Sequence, residues 1–580
     1  MVDRKKLTPF LWVSPQISES DIGSLAAAGF RTVVCNRPEG ESSDQPATAA
    51  LEQAVKRQGM DFVHLPVRSG DITDQNVKDF RHLLETVSGP VLAFCRTGTR
   101  STSLWALAEA HHLTPDTVIA TAAEAGYDLS GLRGRLDTTW QKADKKASKQ
   151  APSSNLPRFD TLIVGGGAGG LAAAASLLKR RPNLSIAVVE PSDKHYYQPA
   201  WTLVGAGAFA RSGTEKAMAG VIPAGCKWIR AAASDFDPEN QAVILEDGER
   251  LHYRTLIVAP GLKLDWDAVE GLRDTLGRNG VTSNYLFDLA PYTWELVQNL
   301  KDGKALFTQP PMPIKCAGAP QKAMYLSCDH WQKQGRLPSI NVEFNLAGAA
   351  LFGVATFVPP LMKYVEKYGA QLAFNSNLIK VDGPAKKATF RVTDAEGNTE
   401  TVTKSFDMLH VCPPQTAPDF IRNSVLANEA GWVEVNGETL QHSRYSNIFS
   451  LGDACSAPNA KTAAAVRKQA PVVAENLLAV LDGEPLRSIY DGYGSCPLTV
   501  ERGKVVLAEF GYGGKLLPTF PLEPTVPRRV MWLLKAKLMP WIYFKLMLRG
   551  REWLAAPERL PHAPQPHESQ TALNDEKRGR

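Results

Sequence analysis

The stretch Asp160–Glu190, DTLIVGGGAGGLAAAASLLKRRPNLSIAVVE, decides the fold. Thr161–Val164 is a short β-branched and apolar run that predicts a buried strand, and Gly165, Gly167 and Gly170 open a predicted helix over Leu171–Arg180. Each glycine has its own task. The first permits a tight turn, the second lets a pyrophosphate approach bare backbone, and the third lets helix pack on strand. Gly166, Ala168 and Gly169 complete the small-residue loop, and the helix N-terminus it enters favours an anion. Ser185–Val189 predicts the next strand, and Glu190 at its end is placed to take ribose hydroxyls. Among 45 glycines an isolated match would arise by chance. Strand, loop, helix, strand and terminal acid in register would not.

A chain of 580 residues is too long for one core, and its size predicts roughly three to four folding units. Lys and Arg total 65 against 60 acids, a balance too even to argue nucleic-acid binding. The opening MVDRKKLTPFLWVS has no apolar core of signal-peptide length, and no apolar run approaches the ~18 residues of a membrane span. The eight cysteines are scattered, with no CxxC and no disulfide-scaffold spacing, so most are expected to be reduced and a few reactive. No metal site is read.

After the glycine loop, His195–Gly205, HYYQPAWTLVG, is aromatic and glycine-rich and is expected to wrap the cofactor, with Gln198 among its contacts. LIVAPG at Leu256–Gly261 predicts a strand ending in small residues, and NIFSLGD at Asn447–Asp453 predicts another whose Gly452-Asp453 lies at a helix entrance. This combination resembles two-dinucleotide-fold flavoproteins, in which the Asp binds the ribityl chain. A helix N-cap is the plain alternative for Asp453. The resemblance makes FAD the expected cofactor.

Residues 1–140 read as a compact α/β unit, with TVVCNR, DFVHLPV and GPVLAF as short strands. The third strand runs into Cys95-Arg96-Thr97-Gly98-Thr99-Arg100-Ser101, followed by a predicted helix over Thr102–His111. Backbone N–H groups of such a loop can form an anion nest around the sulfur, and positive surroundings favour the reactive thiolate. Cys95 is therefore a candidate nucleophile and Arg100 its companion. Tyrosine-phosphatase loops place five residues between Cys and Arg; here there are four. CRTGTRS resembles the rhodanese-type sulfurtransferase loop, and FLWVSPQIS with AAGFRTVVCNRPEGE resembles a phosphatase-like domain family associated with sulfur transfer, over residues 8–110. Cys35 lacks such company and is expected in the core. Residues 141–157, lysine-, serine- and proline-rich, predict a solvated tether.

A second dinucleotide fold is predicted from KALFTQ at Lys304–Gln309 and NVEFNLAGAALFG at Asn341–Gly353, but the fingerprint is missing. In its place stands Pro310–Lys322, PPMPIKCAGAPQK, whose prolines and cysteine could not cradle a pyrophosphate. The fold survives as architecture, and a thiol occupies its functional place. KCAGAPQKAMYL, HYYQPAWTLVGAGA, LQHSRYSNIFSLGDA, AKTAAAV and YGSCPLTVERGKVVLAEFGY together resemble the sulfide:quinone oxidoreductases, in the subgroup that includes the mitochondrial enzymes, over about residues 158–555. The resemblance implies that Cys316 and Cys496 are a redox pair, Cys496 carrying the persulfide and Cys316 facing the flavin, with Lys322 and Lys461 as polar neighbours. It also counts Ala233, Lys461 and Thr462 among the cofactor contacts. It implies sulfide and a quinone as substrates and a low-molecular-weight thiol or sulfite as sulfur acceptor. Cys226, Cys328, Cys412 and Cys455 are read as small buried hydrophobes.

Between Glu523 and Glu552 there is no acid, and PTVPRRVMWLLKAKLMPWIYFKLMLRGR mixes basic residues with Trp532, Trp541 and Tyr543. This predicts interfacial helices, broken near Pro540, on a membrane surface; a hairpin packed on its own domain or in a dimer is the rival. The fold class expected is α/β: a phosphatase-like domain (1–140), a linker (141–157), an FAD-binding domain in two parts (158–280 and 401–490), a degenerate nucleotide-binding-like domain (281–400), a redox-cysteine segment with C-terminal amphipathic helices (491–560) and a disordered tail (561–580). The expected location is peripheral to a membrane on its cytoplasmic or matrix side, with a homo-oligomer left open. The rival functions are an NADH:quinone flavoprotein with an accessory phosphatase-like domain and a redox-sensing flavoprotein scaffold.

Overall fold

The apolar run at Thr161–Val164 lies inside a strand that begins earlier, Arg158–Val164, and pairs in parallel with Ile186–Val189 on one side and Arg250–Val258 on the other. Leu162, Ile163 and Val164 are all buried, as a parallel strand covered on both faces requires. The computed structural model describes residues 3–8, 11–87, 90–110, 115–140, 158–458 and 461–560. The expected tether at 141–157 and tail at 561–580 lie outside the described residues. The chain divides into two compact units, Met1–Leu156 and Pro157–Arg580.

In the first unit a five-stranded sheet has the order Lys5–Lys6, Leu11–Ser14, Val91–Phe94, Thr32–Cys35, Asp61–His64, parallel except at its first pair. The helix after the Cys95 loop is Thr99–Glu109, three residues earlier than predicted, with Gly98 as N-cap at φ +87°. That tightens the loop.

In the second unit the first dinucleotide fold has strands ordered Cys226–Ile229, Ile186–Val189, Arg158–Val164, Arg250–Val258, Ala242–Leu245, Ala233–Asp237, and Ile448–Ser450 also pairs with Arg250–Val258. Its helix, Ala168–Arg180, begins at the glycine loop with Gly167 as N-cap, and shares a core with Ala463–Asp482. The second fold is a parallel sheet ordered Val281–Thr282, Met408–His410, Gly303–Gln309, Ile340–Leu346, Gln371–Ala373. The hairpin Gly494–Glu501 and Lys504–Phe510 then lays one face on this second core.

One expectation about helices is corrected and one alternative is set aside. Pro540 does not break the C-terminal segment: Arg529–Leu533, Leu534–Leu538, Met539–Trp541, Ile542–Leu546 and Met547–Arg549 follow one another as helix, with Leu534–Leu538 and Ile542–Leu546 in wide π-turns. Met531, Lys535, Tyr543 and Met547 are buried at multiples of four residues. On an ideal α-helix of 3.6 residues per turn that set would drift around the surface. The wide turns, with their i→i+5 pattern, return it to one face. Nor does Asp453 cap a helix. It lies in the short turn Gly452–Ala454, and the helix Ala463–Asp482 is capped by Thr462, whose Oγ1 accepts from Ala465 N at 3.0 Å.

Candidate active site

The strand ends of the second unit surround one cavity of about 480 Å³. At one end the glycine loop shows why its residues are small. A Cβ on Gly170 would run into the Gly165 carbonyl oxygen, and one on Gly165, at φ +106°, into the Ala259 carbonyl; a Cβ on Gly167 would meet nothing within 4 Å. The first and third glycines serve packing, and the second leaves bare backbone on the cavity wall. The Glu190 carboxylate accepts from Gly166 N at 2.7 Å and Ser192 N at 2.9 Å, so it is held at the loop. Further along, Gly261, Gly452, Asp453, Lys461 and Thr462 line the same cavity, as does Gln198 from the aromatic loop. His195 in that loop bridges the Gly166 carbonyl (3.0 Å) and the Tyr543 hydroxyl (2.7 Å), tying the C-terminal helix to the glycine loop.

These residues fit a dinucleotide with a polar ring system. Both amide atoms of Asn284 and the Thr202 hydroxyl are buried on the cavity wall without a hydrogen-bond partner, and buried polar groups are ordinarily paired. Among the expected contacts, Gly165 and Gly170 lie behind the cavity wall, where they serve the packing of the loop, and Ala233 packs in the sheet core away from it. Lys461 points its ammonium at the carbonyls of Asp453 (2.6 Å) and Cys455 (3.2 Å), 3.6 Å over the Trp432 ring, and burial lowers its pKa. Burial raises that of Asp453.

Beyond this the cavity meets the two cysteines. Cys316 lies in the loop before helix Ala319–Lys333, at φ +49°, a left-handed conformation that costs a non-glycine residue about 1–3 kcal/mol. Its N–H donates to the Lys461 carbonyl at 3.0 Å and its carbonyl accepts from Ala319 N at 2.7 Å, so the turn is fixed on both sides. Its Sγ is 3.8 Å from the Sγ of Cys496, which strand Gly494–Glu501 presents from 180 residues away. Both are free thiols. Lys322, one turn into the helix, donates from Nζ to Cys316 Sγ at 3.1 Å. The hydrogen bond from Cys496, with Lys322 beside it, holds the Cys316 thiol well below the usual thiol range in spite of burial. Cys496, facing that sulfur and buried, is held well above it. For Lys322 burial opposes the charge, but the two sulfurs outweigh it and its pKa is raised.

Sequence reasoning missed Lys315 and Lys535. Lys315 Nζ donates to Gln198 Oε1 at 2.5 Å on the cavity wall, and burial lowers its pKa. Lys535, expected at a lipid surface, is turned inward, bonded to the Pro497 carbonyl (3.1 Å) and Thr499 Oγ1 (3.2 Å); burial, then Lys322, push its pKa well down. The sequence shows only an amphipathic segment there; which of its faces turns inward is set by the packing.

In the first unit Gly98 N donates to Cys95 Sγ at 3.2 Å, so the loop does wrap the sulfur. Arg100 is engaged elsewhere, by Glu41 (2.7 Å) and the Val67 carbonyl (2.7 Å). Burial pushes the Cys35 thiol up to about 11, as befits a core residue.

A glycine-loop dinucleotide fold, joined to a second such fold with a thiol pair at its strand ends, defines a flavin-dependent oxidoreductase of the pyridine nucleotide-disulphide type. The family model of that description, pyridine nucleotide-disulphide oxidoreductase, matches residues 159–309, and one for the phosphatase-like domain of beta-lactamase hydrolase-like protein matches residues 3–112. The chain is 40% identical over 392 residues to the mitochondrial sulfide:quinone oxidoreductase of Mus musculus, covering 68% of this chain and 87% of the relative. To that of Dictyostelium discoideum it is 43% identical over 393 residues, 67% of this chain and 86% of the relative. The chain belongs to the sulfide:quinone oxidoreductase family. The solved sulfide:quinone oxidoreductase of Aquifex aeolicus shares the fold, with a TM-score of 0.59, 18% identity and coverage of 69% of this chain and 97% of that one.

Proposed function

We propose that the second unit oxidises sulfide to a protein persulfide at Cys316 and Cys496, with FAD as cofactor, and passes the electrons to a quinone. The observation that carries this reading is the thiol pair at 3.8 Å with the Lys322 ammonium 3.1 Å from one sulfur. In the oxidised state the two sulfurs are joined. Sulfide attacks Cys496, the new S–S bond makes its persulfide, and the electron pair of the broken bond leaves on Cys316, where Lys322 stabilises the thiolate. Exchange of this kind runs fastest through a good leaving sulfur, and Cys316, with its lowered pKa, is the better leaving group of the two. The outer sulfur passes to a thiol or sulfite, leaving Cys496 reduced. Bound FAD supplies a two-electron acceptor for re-forming the disulfide and a donor to quinone. Gly165–Gly170 and Glu190 hold its dinucleotide, and Gln198, Gly261, Gly452, Asp453, Lys461 and Thr462 line the way to its ring; Ala233 is left out, being away from the cavity.

The membrane supplies the quinone in this reading. Among the described residues no helix is long and apolar enough to cross a membrane, but Val530, Leu533 and Trp541 on the C-terminal helix, with Trp553 and Leu554 on the cavity wall, are exposed. Such a face, with exposed Arg529, Lys537 and Arg549, suits a headgroup boundary. In the first unit Cys95 receives sulfur made at Cys496, directly or through a small thiol; the limits 1–140, 158–280, 281–400, 401–490 and 491–560 belong to the same proposal. Replacing Cys95 by Ser should alter the persulfide products, and an unchanged product distribution would remove that role. The main reading is tested by anaerobic titration: sulfide should bleach the flavin, and a short-chain quinone should restore its colour. Bleaching by NADH and not by sulfide would overturn it.

A further inference from the structure

In the first unit a carboxylate is set against the arginine of the Cys95 loop. Strands Thr32–Cys35 and Val91–Phe94 are parallel neighbours, and ligands of such sheets bind in the crevice outside the carboxyl ends of the strands. The Cys95–Arg100 loop leaves one strand end there, and the segment Asn36–Asp44 leaves the other. The two are tied together: Asn36 N donates to the Phe94 carbonyl at 2.8 Å, and Ser101 Oγ donates to Asn36 Oδ1 at 2.9 Å.

This crevice holds two buried guanidiniums, Arg37 at 2% exposure and Arg100 at 8%. Both terminal nitrogens of Arg100 are spent inside the protein, Nη1 on the Val67 carbonyl and Nη2 on Glu41 Oε2, each at 2.7 Å. The same Oε2 accepts from Arg37 Nε at 2.7 Å. The other Arg37 nitrogens go to Gln16 Oε1 at 2.8 Å and to Ser42 Oγ. The Arg100 hydrogen bond outweighs burial and, with Arg37, holds the Glu41 carboxyl below the usual carboxylate range. Nearby, the exposed pair Arg96 and Asp44 adds one charge of each sign, and Glu39 is turned to Thr48 N at 3.1 Å. Arg37, Arg100 and Glu41 together leave a single positive charge.

That charge matches sulfur transfer, which keeps one negative charge in the site throughout. The Cys95 thiolate attacks the outer sulfur of a persulfide RS–SH. A bond forms between Sγ and that sulfur, the donor's S–S bond breaks, and its electron pair leaves on the inner sulfur, which takes the outer sulfur's proton. RSH departs and Cys95 keeps a persulfide anion. A phosphate monoester would bring two more negative charges beside the thiolate, and its oxygens call for a bidentate guanidinium. Arg100 can offer that fork only by releasing Glu41. Resting on the sulfur-transfer reading of Cys95, we infer that Glu41 is the specificity residue of the first unit: by occupying the Arg100 fork it admits a monoanionic persulfide and shuts out phosphate esters. Charge placed against the wrong ligand is a general route to such discrimination.

The test treats the full-length holoenzyme with iodoacetamide, with and without inorganic phosphate, and follows Cys95 and Cys35 by peptide mass. Cys35, 1% exposed, reports whether the unit is folded. In the parent, millimolar phosphate should leave the rate at Cys95 within twofold. In Glu41→Gln, with Cys35 still unmodified, phosphate should slow it on the order of tenfold. Glutathione persulfide, added first, should put one sulfur on Cys95 of the parent. Phosphate protection of the parent's Cys95, or none in a folded Glu41→Gln enzyme, overturns the role of Glu41 and leaves sulfur transfer standing. A parent Cys95 that gains no sulfur overturns both. Where Glu41→Gln exposes Cys35, Glu41→Ala takes its place under the same criteria, and the parent's response to phosphate decides by itself.

Discussion

The two dinucleotide folds of the second unit share a strand–loop–helix plan and use the loop for opposite purposes. In the first, Arg158–Val164 leads through glycines into Ala168–Arg180, and the loop's value is what it lacks: at Gly167 no side chain stands between backbone and cavity. In the second, Gly303–Gln309 leads through Pro310–Gly318 into Ala319–Lys333, and the loop's value is the one side chain it holds out, Cys316 at φ +49°. Gly167 has extended backbone that any residue could adopt, so what matters there is the missing side chain, whereas Cys316 holds its side chain out at the cost of left-handed strain. The same place in a fold can thus grip a cofactor or carry chemistry, according to whether the loop withholds or presents a side chain.

Lesions in the two loops should therefore fail differently. The largest effect is expected from Cys316→Ser, which should keep its flavin and lose sulfide-dependent flavin reduction by a factor on the order of 1,000 or more, the scale on which a covalent participant is missed; single-turnover mixing with sulfide measures it. Gly170→Val should do the reverse. Its side chain has no room against the Gly165 carbonyl and Ile163, so the protein should purify with little flavin and lower stability by several kcal/mol, read from the absorbance ratio and thermal unfolding. Lys322→Gln sharpens the comparison within the second loop. Without the ammonium the Cys316 thiol should titrate higher, so the rising limb of the sulfide reaction moves to higher pH and the rate at neutral pH falls on the order of tenfold. Above both limbs the thiol is ionised in both enzymes and the two rates should converge, whereas below them the variant should stay slower by a constant factor. The smallest effect is expected at Thr462→Ala, which removes the cap of helix Ala463–Asp482 and should cost about 1 kcal/mol of stability while leaving sulfide reduction within twofold.

The first fold was legible because its meaning is local: a strand, three glycines and an acid fall within thirty-one consecutive residues. Cys316 was legible for the same reason, as a thiol standing where the second fold should carry its glycine loop, while Lys322 was reached through resemblance. Cys496 was reached through resemblance, since spacing says nothing about two sulfurs 180 residues apart. The plain alternative for Asp453, a helix cap, falls because a Gly-Asp at a strand end looks the same before a 3₁₀ turn as before a helix. Pro540 misled because it falls in the first turn of the short helix Met539–Trp541 between two π-turns, a position in which a missing N–H breaks nothing. Lys535 was invisible for a different reason. It is a common charged residue in an amphipathic segment, and only the packing shows which face is turned inward.

The account's central claim is that sulfide opens a Cys316–Cys496 disulfide at Cys496. Its most direct measurement adds one equivalent of sulfide anaerobically to the oxidised Cys95→Ser enzyme, without acceptor, blocks thiols with an alkylating reagent and maps the peptides by mass. The account predicts one additional sulfur on the peptide bearing Cys496 and a singly alkylated, unmodified Cys316. An additional sulfur on Cys316 alone, or on neither cysteine while the flavin is bleached, would contradict it.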